Sequence, residues 1–171
     1  MRRYRRLVGI PFLIAAFLLA HFKLRFLYPG LILVFLGELF RIWAAGHLRK
    51  EEILTTGGPY RLIRNPLYFG SLLIGLGFVL ISASYWILLL IAIYFLISYL
   101  PVIGYEQTVL KEKFSDAFVE YSKSVPVFFP TFHPWKSPST QFRWQQVWKN
   151  KEYSAIVGIV AVILLLAFFR R

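Results

Sequence analysis

The 171-residue chain contains no cysteine, which excludes a disulfide framework, a thiolate metal site and a thiol nucleophile. Acidic residues are scarce: eight Asp and Glu stand against twenty Lys and Arg, a formal charge of +12. Charge of either sign is missing altogether from Asn65 to Tyr105. With 58% of its residues hydrophobic, the chain falls outside the composition of soluble domains, and disorder born of low hydrophobicity is excluded too. A greasy chain of about one domain's length with a basic minority fits a membrane protein.

The 41 charge-free residues would extend about 60 Å as helix, two crossings of a hydrocarbon core about 30 Å thick. Ser82-Ala83-Ser84 breaks the run near its middle, so a helical hairpin is expected within 66–105, with spans near Leu67–Ile81 and Tyr85–Tyr99. Its two ends then emerge on one side. Further spans are expected at Leu7–Ala20, Pro29–Ala45 and Tyr153–Phe169. The reading is an all-α polytopic membrane protein of about five transmembrane helices forming one domain, 1–171. Segments 1–6, 46–66 and 105–152 hold 15 Lys and Arg, whereas 21–28 and Arg170-Arg171 hold four, which directs the N-terminus and the richer loops to the cytoplasm. The opening MRRYRR and apolar run share features with a secretory signal, but Leu18 and Ala20 make a poor cleavage site, so a retained first helix is expected. The basic excess satisfies the orientation rule by itself, and no nucleic-acid partner is expected.

In the loop after the hairpin, Leu110, Phe114, Ala117, Phe118, Tyr121 and Val125 recur at helical spacing opposite Lys111, Glu112, Asp116, Glu120 and Lys123, the pattern of a cytoplasmic amphipathic helix. Pro126, Pro130, Pro134 and Pro138 then prevent a continuous helix. Trp135, Phe142, Trp144 and Trp148 alternate with Lys136, Arg143 and Lys149, as an interfacial anchor does.

Three groups of polar residues need an account, because charge in lipid is costly. Glu38 and Arg41 lie three residues apart within the second span, placed either to form a structural ion pair or to line a polar cavity. Before the hairpin runs Gly58-Pro59-Tyr60-Arg61-Leu62-Ile63-Arg64-Asn65-Pro66-Leu67-Tyr68-Phe69-Gly70. Pro66 is suited to the first helical position and drives Asn65 out of helical geometry, leaving a helix N-terminus whose free N–H groups, with Arg64, favour an anionic group. Glu106 stands at the far end of the hairpin, on the same membrane side as Arg64. The two either close the hairpin base as a salt bridge or bind a zwitterion between them.

These residues resemble a known family. Gly58-Pro59-Tyr60, Arg64-Asn65-Pro66-Leu67-Tyr68-Phe69-Gly70, Glu106-Gln107, Tyr121 and Val125-Pro126 are similar to the isoprenylcysteine carboxyl methyltransferase and phospholipid methyltransferase superfamily, whose pattern runs from R-H-P-x-Y-x-G to a downstream E-E. The resemblance covers roughly 45–130 and implies a membrane enzyme that takes S-adenosylmethionine from the cytoplasm and methylates a lipophilic acceptor. It places Arg64 and Glu106 in catalytic roles and Gly58, Tyr60, Arg64, Asn65, Tyr68, Gly70 and Glu106 around the cofactor; His47 is read first as an interfacial or loop histidine, with a place bordering the cofactor as the alternative. Two positions depart from the pattern: Asn65 replaces the family's His, and Gln107 the second Glu. Asn cannot act as a base near neutral pH, so the departure tilts the acceptor toward a carboxylate, which needs no deprotonation. No metal is expected, since His21, His47 and His133 lack ligand spacing. Two alternatives remain open: an NADPH-dependent reductase of the sterol reductase type, against which Leu67 and Ser71 depart from R-H-P-N-Y-x-G-E, and a non-catalytic membrane scaffold. Membrane lipids are the expected surroundings, and oligomeric state is not encoded legibly.

Overall fold

The computed structural model describes residues 24–49, 52–136 and 139–169. The expected first span, Leu7–Ala20, lies outside the described residues. Within them every regular element is helical: α1 (Leu24–His47), a 3-10 turn (Gly58–Arg61), α2 (Pro66–Ser82), α3 (Tyr85–Ser98), α4 (Leu100–Ser124), α5 (Trp144–Lys149) and α6 (Tyr153–Phe169). α1 starts five residues before Pro29, which therefore falls inside it and removes one intrahelical donor without ending the helix.

The hairpin forms as its sequence demands. Asn65 is non-helical (φ −123°, ψ 60°) and Pro66 opens α2. At the opposite end Ala83 takes a left-handed conformation (φ 47°), its N–H donating to the carbonyls of Leu80 and Val79, and Ser84 is extended before α3. α1 and α2 pack closely and antiparallel through two glycine pairs. A Cβ placed on Gly30 would lie 2.7 Å from the Gly77 carbonyl oxygen, and one on Gly37 would lie 2.8 Å from that of Gly70. The pairs are seven residues apart on both helices, about 10 Å along the axis, so small residues bring the backbones together as they do between helices in lipid.

One expectation is corrected. The second hairpin arm and the amphipathic helix are not separate: α4 begins two residues after α3 ends, and the helix instead breaks at Ser115 (φ 40°, ψ −116°). The residues of the apolar stripe still form the core beyond the hairpin, where Phe118, Tyr121 and Val125 are buried against Leu54, Leu110, Phe114 and Trp135. Ala117 is exposed instead, since the break at Ser115 resets the helical phase.

Five crossings are not confirmed by the described residues. Among the described residues two stretches are long and apolar enough to cross a membrane, Arg25–His47 and Tyr85–Ser124, while Pro66–Ser82 and Tyr153–Leu165 are apolar but shorter. Seventeen residues of α2 reach about 25 Å, less than the hydrocarbon thickness. Tyr28, Phe35 and Leu36 of α1, Leu89 and Leu96 of α3, and Val157 and Leu164 of α6 are all exposed. Apolar surface of this extent facing outward suits lipid and not water.

The segment expected as an interfacial anchor also folds back on the rest. The Arg64 N–H donates to the Pro126 carbonyl (2.9 Å), Thr131 N–H to Leu62 (2.9 Å) and Trp135 N–H to Arg61 (2.9 Å). Ser139 and Thr56 exchange backbone-to-hydroxyl hydrogen bonds at 3.0 Å. Trp144 and Trp148 remain 65% exposed.

Candidate functional site

Where the two ends of the hairpin meet, adjacent residues of α4 reach one residue in the first turn of α2 and one just before that helix. The Tyr68 hydroxyl donates to Glu106 Oε1 at 2.8 Å, and Arg64 Nη1 donates to Gln107 Oε1 at 2.5 Å. Glu106 and Gln107 point about 100° apart on their helix, which lets one turn of α4 hold both the first turn of α2 and the residue before its cap. The structure thus corrects the direct Arg64–Glu106 pair: both groups lie at the hairpin base, but each has a different partner. Gln107, noted from the sequence as a departure from a pattern, is the residue that fixes Arg64. No signal in one sequence identifies it, because its role depends on the helical phase of α4 relative to α2.

The clamp leaves polar groups over. Arg64 Nε and Gln107 Nε2 are buried without a hydrogen-bond partner, a cost that a native site normally offsets with a ligand or water. Burial lowers the pKa of the Arg64 guanidinium from its ordinary value, and its charge lies over the Phe118 ring at 5.9 Å. The Glu106 side chain is exposed. Tyr68 packs edge-on to Tyr99 (5.2 Å between centroids), Tyr99 stacks on Phe95 (4.7 Å), and Phe95 meets Phe128 (5.2 Å). Beyond Tyr68, this aromatic wall next to the acid–base cluster was not read from the sequence, where Tyr99 served only as the end of a span.

The remaining sequence candidates have structural work. Asn65 is buried and its Nδ2 donates to the Val127 carbonyl at 2.9 Å, so this amide fastens the returning segment. Tyr60 is buried, and its carbonyl accepts the Tyr121 hydroxyl at 2.6 Å. Burial raises the Tyr60 phenol above its ordinary pKa, and it stays neutral at physiological pH. Gly58 has φ +55°, and a Cβ there would lie 2.5 Å from the His47 ring, so the backbone passes where a side chain cannot. Gly70 faces away from the cluster toward α1, its missing side chain replaced by Arg41 and the Gly37 carbonyl.

His47 Nδ1 is 3.0 Å from the Trp43 carbonyl. Arg49, whose pKa burial lowers, donates to the carbonyls of Gly46 (3.2 Å) and Gln141 (3.1 Å). The loop after α1 is thereby tied to the C-terminal segment. Among the described residues no group of three or more His, Asp or Glu side chains is arranged to hold a metal ion.

The phospholipid methyltransferase family matches residues 8–117. That stretch begins well before the resemblance seen at 45–130 and ends short of Tyr121 and Val125-Pro126. Among curated proteins, the cobalt-zinc-cadmium resistance protein CzcN of Cupriavidus metallidurans is 35% identical over 113 residues, covering 65% of this chain and 52% of that protein. The nickel-cobalt-cadmium resistance protein NccN of Alcaligenes xylosoxydans xylosoxydans is 32% identical over 115 residues, covering 65% and 53%. The chain spans about half the length of these relatives. No solved structure matches.

Proposed function

The chain belongs to the phospholipid methyltransferase family, within the isoprenylcysteine carboxyl methyltransferase superfamily, and on that premise we propose that this membrane protein transfers a methyl group from S-adenosylmethionine to a lipophilic carboxylate at the cytoplasmic membrane face. The observation that carries the reading is the double clamp of Arg64–Gln107 and Tyr68–Glu106, with its leftover buried donors. S-adenosylmethionine ends in an amino acid, and the residues fit it: Arg64 Nε and Gln107 Nε2 offer donors to a carboxylate, and Glu106 offers an acceptor to an ammonium. The aromatic faces of Tyr68, Tyr99 and Phe95 provide a surface for a cation.

The bound cofactor supplies an electrophilic methyl group on a positively charged sulfur. The chain's part is alignment and exclusion of water. Asn65, buried and bonded to Val127, supports the clamp from behind and moves no proton. An ionised carboxylate acceptor needs no base and becomes a neutral methyl ester. Loss of that charge also links the reaction to the names of the relatives, since esterified lipophilic acids no longer attract divalent cations to the membrane. Metal resistance in this reading comes from a changed membrane component and not from metal ligation by the chain.

Purified protein in maltoside micelles, given S-adenosylmethionine with a labelled methyl group and a lipid extract of its host, tests the reading. Label should enter the organic phase and be released by mild alkali, as a methyl ester is. Alkali-stable label would point to an amine acceptor, and absence of transfer, with stabilisation by NADPH in place of S-adenosylhomocysteine, would point to a reductase. Binding of neither cofactor would leave the scaffold.

A further inference from the structure

Away from the clamp, on the side of α2 that faces α1, two carboxylates share one guanidinium. Arg41 Nη2 lies 2.5 Å from Glu152 Oε1, and Nη1 donates to the Leu67 carbonyl (3.2 Å) and to the Ser71 hydroxyl. Its Nε is 3.7 Å from Glu38 Oε2, an ion pair too long for a hydrogen bond. Both carboxylate oxygens of Glu38 are buried with no hydrogen-bond partner. Among the described residues Arg41 is the one cation paired with either acid, so with both acids ionised the cluster carries one negative charge in excess inside apolar surroundings, a cost relieved by a proton on Glu38 or by a cationic partner.

Glu38 also lines a cavity of about 240 Å³ between α1 and α6, whose other walls include Leu31, Val34 and Phe35 on one side and Ile156, Val160 and Ile163 on the other. Phe35 is 63% and Val160 49% exposed, so the groove opens sideways toward the surroundings of the helices. It exceeds the roughly 150 Å³ of an apolar cavity that takes benzene, and residues 31 to 38 span about 10 Å of helix. Apolar walls with a polar group at one end share the make-up of small-molecule sites, in a volume below their usual range.

We infer that this groove binds an alkylammonium: a hydrocarbon chain lying between α1 and α6 with its cationic nitrogen on Glu38. Charge complementarity selects the occupant. An ammonium cancels the excess charge, and its three N–H donors can serve both orphaned oxygens. A fatty acid or alcohol of the same length offers the groove an equal tail but a head that repels Glu38 or satisfies less of it. This inference does not depend on methyl transfer.

Calorimetric titration of the full chain in maltoside micelles with octylammonium, octanol and octanoate tests it, with empty micelles subtracted. Octylammonium should bind saturably and at least tenfold more tightly than either comparator. Glu38→Gln should erase that preference while keeping helical circular dichroism. Equal binding of all three probes, or an undiminished preference in Glu38→Gln, would overturn the inference. Should that variant fail to fold, Val160→Trp, which fills the groove and spares the acid, must abolish saturable octylammonium binding; retention of binding would equally overturn it.

Discussion

Replacing Gly70 by Ala separates two roles that the sequence alone leaves merged, cofactor contact and helix packing. An added Cβ would stand 2.5 Å from Arg41 Cγ and 2.8 Å from the Gly37 carbonyl oxygen. The arginine methylene can shift a little, but the opposing backbone moves only if α1 and α2 part. Overpacking of this kind costs roughly 1–3 kcal/mol, and the better helix propensity of Ala returns about 1 kcal/mol of it. The expected net loss is therefore up to about 2 kcal/mol in unfolding by dodecyl sulfate in mixed micelles. Gly104→Ala is the internal control: no atom lies within 4 Å of a Cβ there, so propensity acts alone and stability should rise by up to about 1 kcal/mol. Gly70→Ala should meanwhile leave the affinity for S-adenosylhomocysteine within about threefold of the parent, the spread of a small packing shift. A variant of unchanged stability that has lost the ligand would refute the packing argument and return Gly70 to the cofactor site.

Arg64→Lys keeps the charge but loses Nε and the fork. One charge-assisted hydrogen bond is worth roughly 1.5–3 kcal/mol, so calorimetry should show S-adenosylhomocysteine weakened about 10- to 100-fold. Tyr68→Phe removes the hydroxyl on Glu106 from an exposed position, and a loss of about 1 kcal/mol, near fivefold in the same titration, is expected. In the polar node, Glu152→Ala strips Arg41 of its close partner and should destabilise by about 2–3 kcal/mol, less than a wholly buried pair because the guanidinium keeps Leu67 and Ser71. Glu38→Gln, by removing an acid with no hydrogen bond, should leave unfolding unchanged or more difficult.

What the sequence disclosed is what local rules control. Pro66 after Asn65 marks the start of α2, Ser82-Ala83-Ser84 marks the turn, and the period of Phe114, Phe118, Tyr121 and Val125 marks a buried face; all three appear in the structure. A signal was also present that went unused: Gly30 and Gly37 share the seven-residue spacing of Gly70 and Gly77, which matches two antiparallel backbones in close contact. The partners of the charged residues were less accessible. Arg41 pairs most closely with Glu152, 111 positions away, and the acid next to it in sequence, Glu38, is left without a hydrogen bond. Arg64 and Glu106 were placed at one end of the hairpin from its length, but which of two adjacent α4 residues meets the arginine depends on helical rotation, to which a count of residues is blind. The break at Ser115 has no proline or glycine to announce it.

Titration of the purified chain with S-adenosylhomocysteine tests most directly whether the base of the hairpin is one cofactor pocket. Saturable binding to the parent, lost in Arg64→Ala and in Glu106→Ala while both keep their helical circular dichroism, is the expected result. A parent that takes up no ligand, or two folded variants that bind as the parent does, would contradict it.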